Sequence, residues 1–289
     1  MTVREFTAEL AAALTALYPP NEAEAIAALV AEHRLSLDAL QRRMQAAAPV
    51  PPALAAELPA LRARLLAHEP VQYVLGTAHF ADMELEVTPA TLIPRPETEE
   101  LVRLIEDEQR GRAGLRVLDV GTGSGCLALA LARALLRAGV RAVDISAEAL
   151  AVARRNAARY APSIVFQQLD ILNELPAIEP GTLDVLVSNP PYVRDSERPL
   201  MRENVLAWEP ATALFVPDAD PLLFYRRIGL LGRQLLKPNA MLYFEINEAF
   251  EAETVELLHG QGYVAVRGVA DMFGRPRMVR ATAPGEDFR

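Results

Sequence analysis

Leu115-Arg116-Val117-Leu118-Asp119-Val120-Gly121-Thr122-Gly123-Ser124-Gly125 decides the fold. Its first six residues form a mostly apolar run that stops at glycine, the pattern of a buried strand entering a tight turn. The pattern from Cys126 to about Ala138 is helical. Glycines let such a turn bend sharply and bring backbone N–H groups close to a ligand. A dinucleotide fingerprint needs G-x-G-x-x-G, yet Gly121, Gly123 and Gly125 are spaced G-x-G-x-G. That spacing suits a loop cradling S-adenosylmethionine better than one cradling a pyrophosphate.

Outward from this unit, strands and helices alternate. Strands are expected at Val140 to Ile145, Ser163 to Leu169, Leu183 to Ser188, Ala240 to Ile246, Tyr263 to Ala270 and Pro276 to Ala283. Helices are expected at Ala147 to Tyr160, Pro221 to Leu236 and Glu248 to His259. The alternation predicts an α/β, doubly wound, mostly parallel seven-stranded sheet, and the two closing strands imply one antiparallel edge partner. Asp144, 23 residues after Gly121, ends the second strand, where a carboxylate is placed to accept from both hydroxyls of a ribose. A capping role before the next helix stays open, although Ser146 would cap equally well. Asp170 and Ile171 follow the third strand, where an acid meets an adenine amino group.

The fourth strand runs directly into Asn189-Pro190-Pro191-Tyr192. Ligands of an open α/β sheet sit beyond the carboxyl ends of its strands, so this tetrapeptide is expected at the mouth of the site. Nothing in it titrates near neutral pH. Asn189 offers a side-chain carbonyl and Pro190 a backbone carbonyl, two acceptors that together suit a planar NH2 group. Holding both hydrogens turns the nitrogen lone pair towards an electrophile, while Tyr192 can lie flat on the planar group. An amide or amino-purine nitrogen is the expected nucleophile. An ordinary turn is the alternative, since Asn-Pro and Pro-Pro are common turn dipeptides.

Composition narrows the function class. The 289-residue chain is 51% hydrophobic and carries 29 basic and 38 acidic residues, a net charge of -9. That balance gives a folded protein and a poor wide footprint for nucleic acid. Cys126 is the sole cysteine, so no internal disulfide forms, and four dispersed histidines suggest no metal site. Neither a signal pattern nor an 18-residue uncharged apolar run is present, so a cytoplasmic protein without membrane contact is expected.

Residues 1–72 have helical periodicity broken at Pro19-Pro20, near Ser36 and at Pro49 to Pro52, which predicts a small all-α bundle of four or five helices. Asn21 with Glu24 resembles a capping pair, and Ser36 with Asp38 a first helical turn. Residues 73–96 contain the alternating run Met83 to Val87 and are expected to form a β-hairpin linker. Residues 97–289 complete the catalytic domain.

Pro94-Arg95-Pro96-Glu97-Thr98-Glu99, Val117 to Cys126 and Ser188 to Tyr192 occur in the order and spacing of the PrmC/HemK family, which the chain resembles over nearly its whole length. Tyr73 with Gly76, Glu209-Pro210, Leu236-Lys237-Pro238 and Asp271 with Gly274 and Arg277 extend the resemblance. Its members are class I methyltransferases that modify the side-chain amide nitrogen (N5) of the glutamine in the Gly-Gly-Gln loop of class-1 peptide chain release factors. The resemblance implies that Gly121, Thr122, Gly123, Ser124, Gly125, Asp144, Asp170, Ile171 and Asn189 hold S-adenosylmethionine. Asn189, Pro190, Pro191 and Tyr192 would bind the glutamine, with Asn189, Pro190 and Tyr192 promoting transfer. The helical N-terminal domain would help grip the release factor. Asp82, Asn239-Ala240 and Asn247 depart from the family pattern, standing where glycine is usual.

Three rival readings share parts of this pattern. A glutamine methyltransferase of a ribosomal protein shares the Asn-Pro-Pro-Tyr logic but is expected to have Ser-Pro-Ile-like residues in place of Pro96-Glu97-Thr98. An adenine-amino methyltransferase of DNA or RNA recognises the same NH2 group, but the chain lacks a basic recognition segment. A catalytically silent cofactor-binding scaffold is opposed by the intact tetrapeptide and glycine turn.

Overall fold

The computed structural model describes residues 1–285, so 286–289, the end of the expected catalytic domain, lie outside the described residues. Two compact units emerge among the described residues: 1–77 with 202–208, and 78–201 with 209–285.

The first unit holds α1 (Val3–Leu14), α2 (Pro20–Leu35), α3 (Ala39–Met44), α4 (Pro52–Leu66) and α5 (Val71–Leu75). Phe6, Leu10 and Leu14 on α1 pack with Val30 on α2 and with Leu58, Leu61 and Leu65 on α4 in one apolar core. The helix starts are chemically distinct. Thr2 and Glu5 form a capping box on α1. Proline opens α2 with no side-chain cap, so Asn21 and Glu24 do not form the expected pair; Pro20 at the first helical position already has the required φ. Asp38 caps α3 through the Gln41 amide (2.8 Å), while Ser36, with φ 54°, ends α2. Within this unit the indole of Trp208 donates to the Ala67 carbonyl (3.1 Å) and Arg202 pairs with Glu22 (3.1 Å).

The second unit opens with the hairpin of β1 (Thr77–Phe80) and β2 (Met83–Glu86). Ala81 and Asp82 make the two-residue turn, both with positive φ (46° and 57°). That mirror-image turn matches the right-handed strand twist and favours Gly or Asn/Asp. Asp82 therefore tolerates the place of a glycine, whereas Ala81 is strained. There follow α6 (Pro96–Glu108), β3 (Arg116–Val120), α7 (Cys126–Ala134), β4 (Gly139–Asp144), α8 (Ala147–Tyr160), β5 (Val165–Gln168) and β6 (Leu183–Ser188). After β6 come the short β7 (Val193–Arg194), α9 (Glu203–Leu206, grouped with the first unit) and β8 (Phe215–Val216). The chain closes with α10 (Leu223–Leu235), β9 (Leu236–Glu245), α11 (Glu251–Gly260), β10 (Val264–Ala270) and β11 (Pro276–Thr282).

Seven strands form one sheet in the order β10-β11-β9-β6-β3-β4-β5. Strands β9, β6, β3, β4 and β5 pair in parallel, while β11 runs antiparallel to both β9 and β10. The antiparallel strand is thus second from the edge. The final hairpin folds back so that its last strand, not its first, joins β9. Residues of β6 are buried throughout, as expected of a parallel strand covered on both faces. Val185 and Val187 face the core of α6 and α7 (Leu101, Ile105, Leu127, Leu131), and Leu186 faces that of α10 (Ile228, Leu231, Leu235).

Asn239 adopts φ 61°, a conformation asparagine tolerates, so its departure from glycine is accommodated. Asn247 has an ordinary negative φ and uses its side chain instead: Nδ2 donates to the Tyr192 carbonyl (3.2 Å) and Oδ1 accepts from the Ala249 amide (3.0 Å). No helix among the described residues is long and apolar enough to cross a membrane.

Because Ala81 holds a left-handed conformation without a hydrogen-bonding side chain, Ala81→Gly is expected to stabilise the catalytic unit by about 1 kcal/mol. Calorimetry should show a thermal midpoint higher by roughly 2–4 °C. A lowered midpoint would contradict the strain at this turn.

Candidate active site

The site lies where strand order reverses. From β3 the chain steps outward to β4 and β5 on one side and to β6 and β9 on the other, leaving a crevice at the carboxyl ends of β3 and β6. Val120 pairs with Ser188 at that edge, and the Ser188 hydroxyl donates to the Val120 carbonyl (2.7 Å). The glycine turn and the Asn189 tetrapeptide consequently leave the sheet side by side.

Gly121 and Gly123 have φ of 75° and 56°, and an added Cβ at either would meet nothing within 4 Å. Glycine serves there for backbone conformation. At Gly125 a Cβ would fall 3.2 Å from that of Ala153, so this glycine also permits close approach of α8. Asn156 on α8 donates to the carbonyls of Ser124 and Glu86 (3.0 Å each) and accepts from the Glu86 amide (2.7 Å), tying the turn to the hairpin. The Gly123 amide donates to Asp144 Oδ2 (2.8 Å) and the Ser146 amide to Asp144 Oδ1 (2.9 Å). Burial raises the Asp144 carboxyl despite these amides. Ser146, not Asp144, caps α8 through the Ala149 amide (3.1 Å).

A cavity of about 350 Å³ opens at this edge. Gly121, Gly123, Asp144, Asp170, Ile171, Asn189, Pro190 and Pro191 all line it. Thr122, Ser124, Gly125 and Tyr192 are not among its lining residues. The Thr122 hydroxyl instead donates to the fully buried Asp119 (2.6 Å), and the Tyr192 hydroxyl donates to Glu245 Oε1 (3.3 Å). Asp170 accepts from the Leu172 amide (3.0 Å) and Asn173 Nδ2 (2.7 Å), which hold it at the rim.

These residues fit S-adenosylmethionine. Two carboxylates, each already oriented by neighbouring donors, retain lone pairs for ribose hydroxyls and for an exocyclic amine. Leu169, Ile171 and Phe224 on the same lining give apolar surface for a purine.

Three buried polar residues near this edge make contacts the sequence reading did not anticipate. Glu245, ending β9, accepts from the Thr98 hydroxyl (2.7 Å), and Thr98 accepts from Asn189 Nδ2 (3.3 Å). Glu209 accepts from the Ile93 amide (3.1 Å) and Arg95 (2.5 Å), anchoring the extended segment before α6. An acid closing the apolar run Met241 to Phe244 was the available signal for Glu245. Nothing local marked Thr98 as its partner.

Residues 97–209 match the family described as Methyltransferase small domain, and residues 4–76 that described as PrmC N-terminal domain. The chain is 43% identical over 279 residues to the release factor glutamine methyltransferase of Bacteroides thetaiotaomicron, covering 96% of this chain and 99% of the relative. The chain belongs to the release factor glutamine methyltransferase family. It is 44% identical over 220 residues to the Flavobacterium psychrophilum enzyme of the same name, covering 75% and 76% of the two chains. A methyltransferase structure from Pyrococcus furiosus shares the fold, with a TM-score of 0.52, 19% identity, and coverage of 77% of this chain and 98% of that one. Membership in this family makes the chain an S-adenosylmethionine-dependent methyltransferase.

Asp119 gives the cofactor-free site a pH signature. Burial pushes its carboxyl up to about 7, with the nearby Asp144 charge adding to the rise and the Thr122 hydroxyl opposing it. A carboxyl raised in the folded state holds a proton that the unfolded chain releases. Its stabilising contribution is therefore complete below about pH 4 and is lost as pH rises towards about 7. Asp119→Asn should match the wild type near pH 4 and exceed it progressively, by a few kcal/mol at most, towards neutrality. Denaturant unfolding of cofactor-free protein across that range checks this; parallel curves would refute it.

Proposed function

We propose that the protein methylates the side-chain amide nitrogen of the glutamine in the Gly-Gly-Gln tripeptide of class-1 release factors. The observation that carries this reading is the pair of carbonyl acceptors, Asn189 Oδ1 and Pro190 O, on the cavity that also gathers the cofactor-fitting residues. Among the described residues no backbone amide donates to the Pro190 carbonyl, and Asn189 spends only its Nδ2 on the protein. Both oxygens are thus available to take the two hydrogens of a carboxamide NH2. The names of the relatives, release factor glutamine methyltransferases at up to 43–44% identity, support the same substrate class.

Gly121, Gly123, Asp144, Asp170 and Ile171 would hold S-adenosylmethionine, which when bound supplies an electrophilic sulfonium methyl. Asn189 and Pro190 align the nitrogen lone pair with that methyl, and the two fixed proline φ angles keep the acceptors in register. No side chain needs to remove a proton beforehand, so rate enhancement rests on positioning, an effect that can contribute about 7–11 kcal/mol. The helical N-terminal unit, with residues 202–208, would bind the body of the release factor, and the reaction would take place in the cytoplasm.

Incubation with a release factor and S-adenosylmethionine, followed by peptide mass spectrometry, tests the reading. One added methyl confined to the Gly-Gly-Gln glutamine is expected. Transfer only to a ribosomal protein or to nucleic acid selects a rival, and no transfer at all favours a silent scaffold. Asn189→Leu should lower turnover by at least about 100-fold while calorimetry still detects cofactor binding. Asp144→Ala should instead weaken cofactor binding, by roughly 10-fold or more for one charged acceptor. An unchanged affinity would confine Asp144 to ordering the backbone at Gly123 and Ser146.

A further inference from the structure

An asparagine carboxamide presents a carbonyl on one side and an amine on the other, and only the carbonyl serves a substrate NH2. Rotated by half a turn, Asn189 would set NH2 against NH2, losing an acceptor and adding a repulsion. Something must decide between the two states, and the tetrapeptide itself contains no such group.

Deeper in the same unit, Glu245 is a buried carboxylate at the end of β9. Two hydroxyls converge on it: Thr98 donates to Oε2 (2.7 Å) and Tyr192 to Oε1 (3.3 Å). Burial raises the Glu245 carboxyl, opposed by the Thr98 hydroxyl, the positive charge of Arg277 and the Tyr192 hydroxyl. A threonine hydroxyl has one proton. Once that proton is committed to Glu245, the Thr98 oxygen can only accept, and what it accepts is Asn189 Nδ2 (3.3 Å). Thr98, on the first turn of α6, is itself buried, so no solvent competes for its lone pairs.

We infer that Thr98 and Glu245 are positioning residues that set the polarity of the Asn189 carboxamide, turning its carbonyl towards the substrate nitrogen. The inference rests on the acceptor role given to Asn189 above. It assigns a chemical purpose to a threonine and an acid that do not line the cavity. Glu245 orders Thr98, Thr98 orders Asn189, and Asn189 orders the nucleophile.

Thr98→Val, Thr98→Ser and Glu245→Gln test the chain of hydrogen bonds. Thr98→Val keeps the shape and removes the acceptor, so kcat should fall on the order of 10–100-fold. KM should change little, as should the S-adenosylmethionine dissociation constant. Thr98→Ser restores the hydroxyl and should return kcat to within about 3-fold of wild type. Glu245→Gln brings an NH2 group to a place where two hydroxyls donate. With one acceptor oxygen left for two hydroxyls, the Thr98 proton is no longer fixed and can turn towards Asn189, so kcat should fall, up to the loss in Thr98→Val. Thermal midpoints of all three accompany the kinetics. Wild-type kcat in Thr98→Val, equal losses in the Val and Ser variants, or cofactor affinity falling in step with kcat would each overturn the inference. Should Thr98→Val fail to fold, the contrast between Thr98→Ser and Glu245→Gln decides. If the wild type modifies a different amide or amine, the release factor reading falls by itself, and the same contrast is read on that acceptor.

Discussion

Parallel pairing of β3 with β6 is the constraint on which the rest of the site depends. Each strand alone ends in a loop of unremarkable composition, one rich in glycine and the other in proline. Pairing Val120 with Ser188 brings those two loops out of the sheet at the same level, and the Ser188 hydroxyl on the Val120 carbonyl holds that register. Both strands are buried on both faces, so a slip of one residue would exchange Val187 with Leu186 between two different cores. Core packing therefore determines the distance between the glycine turn and the acceptor pair. The precision of the site is inherited from apolar residues that never reach it.

Around this frame the molecule buries several acids, and their partners separate two purposes. Asp184, at the opposite edge of the sheet, accepts from Lys237 (2.8 Å to each oxygen) and the Arg116 amide (2.9 Å), a satisfied arrangement that ties strand starts together. Glu209 holds the Ile93 amide and Arg95, and so places the segment that leads into Thr98. Asp119 and Glu245, in contrast, take hydroxyl donors, and burial raises both carboxyls, with the Arg277 charge among the influences opposing the rise at Glu245. Burying an ionisable group this deeply is costly, and replacing such groups by apolar ones often stabilises a protein. At Glu245 the arrangement fits directional chemistry better than stability, because taking the Thr98 proton dictates which way Thr98 and then Asn189 point.

Much of the catalytic unit was legible because its signals are local. Period-two and period-3.6 patterns, glycine spacing and the proline stop placed all seven strands and the principal helices within a few residues. Helix α7 ends at Ala134 instead of near Ala138, because apolar periodicity continues past a turn in which Arg137 takes φ 53°. The position of β11 between β9 and β10 was not legible, since hairpin order within a sheet depends on long-range pairing. Similarly, Asn21 with Glu24 satisfied a capping pattern that Pro20 made unnecessary. Residues 202–208 grouping with the N-terminal helices left no trace in composition. The cavity gathered the residues that pattern alone had nominated at strand ends. It left aside Thr122, Ser124, Gly125 and Tyr192, whose motif neighbours line it; the Thr122 and Tyr192 hydroxyls and the missing side chain of Gly125 serve the scaffold.

Tyr192 shows how motif chemistry and structural chemistry diverge. As a free aromatic beside two acceptors it suggests a stacking surface for a planar group. In the fold its hydroxyl is committed to Glu245 and its backbone carbonyl to Asn247, and burial, reinforced by the Glu245 charge, raises its phenol well above the ordinary value. A phenol held so firmly protonated can act only as a donor to Glu245, never as a base. With Tyr192 neutral and Asn189 and Pro190 without titrating groups, the acceptor pair has no proton to gain or lose across the physiological range. That insensitivity suits a nucleophile that is an amide, because an amide nitrogen sheds its proton readily once alkylated and scarcely at all before. A base placed beside it would gain little in the ground state and would compete with the carbonyls for the same hydrogens. In the proposed reaction, reliance on two carbonyl oxygens would follow from the acidity of the substrate at each stage, with Glu245 behind them acting on orientation alone.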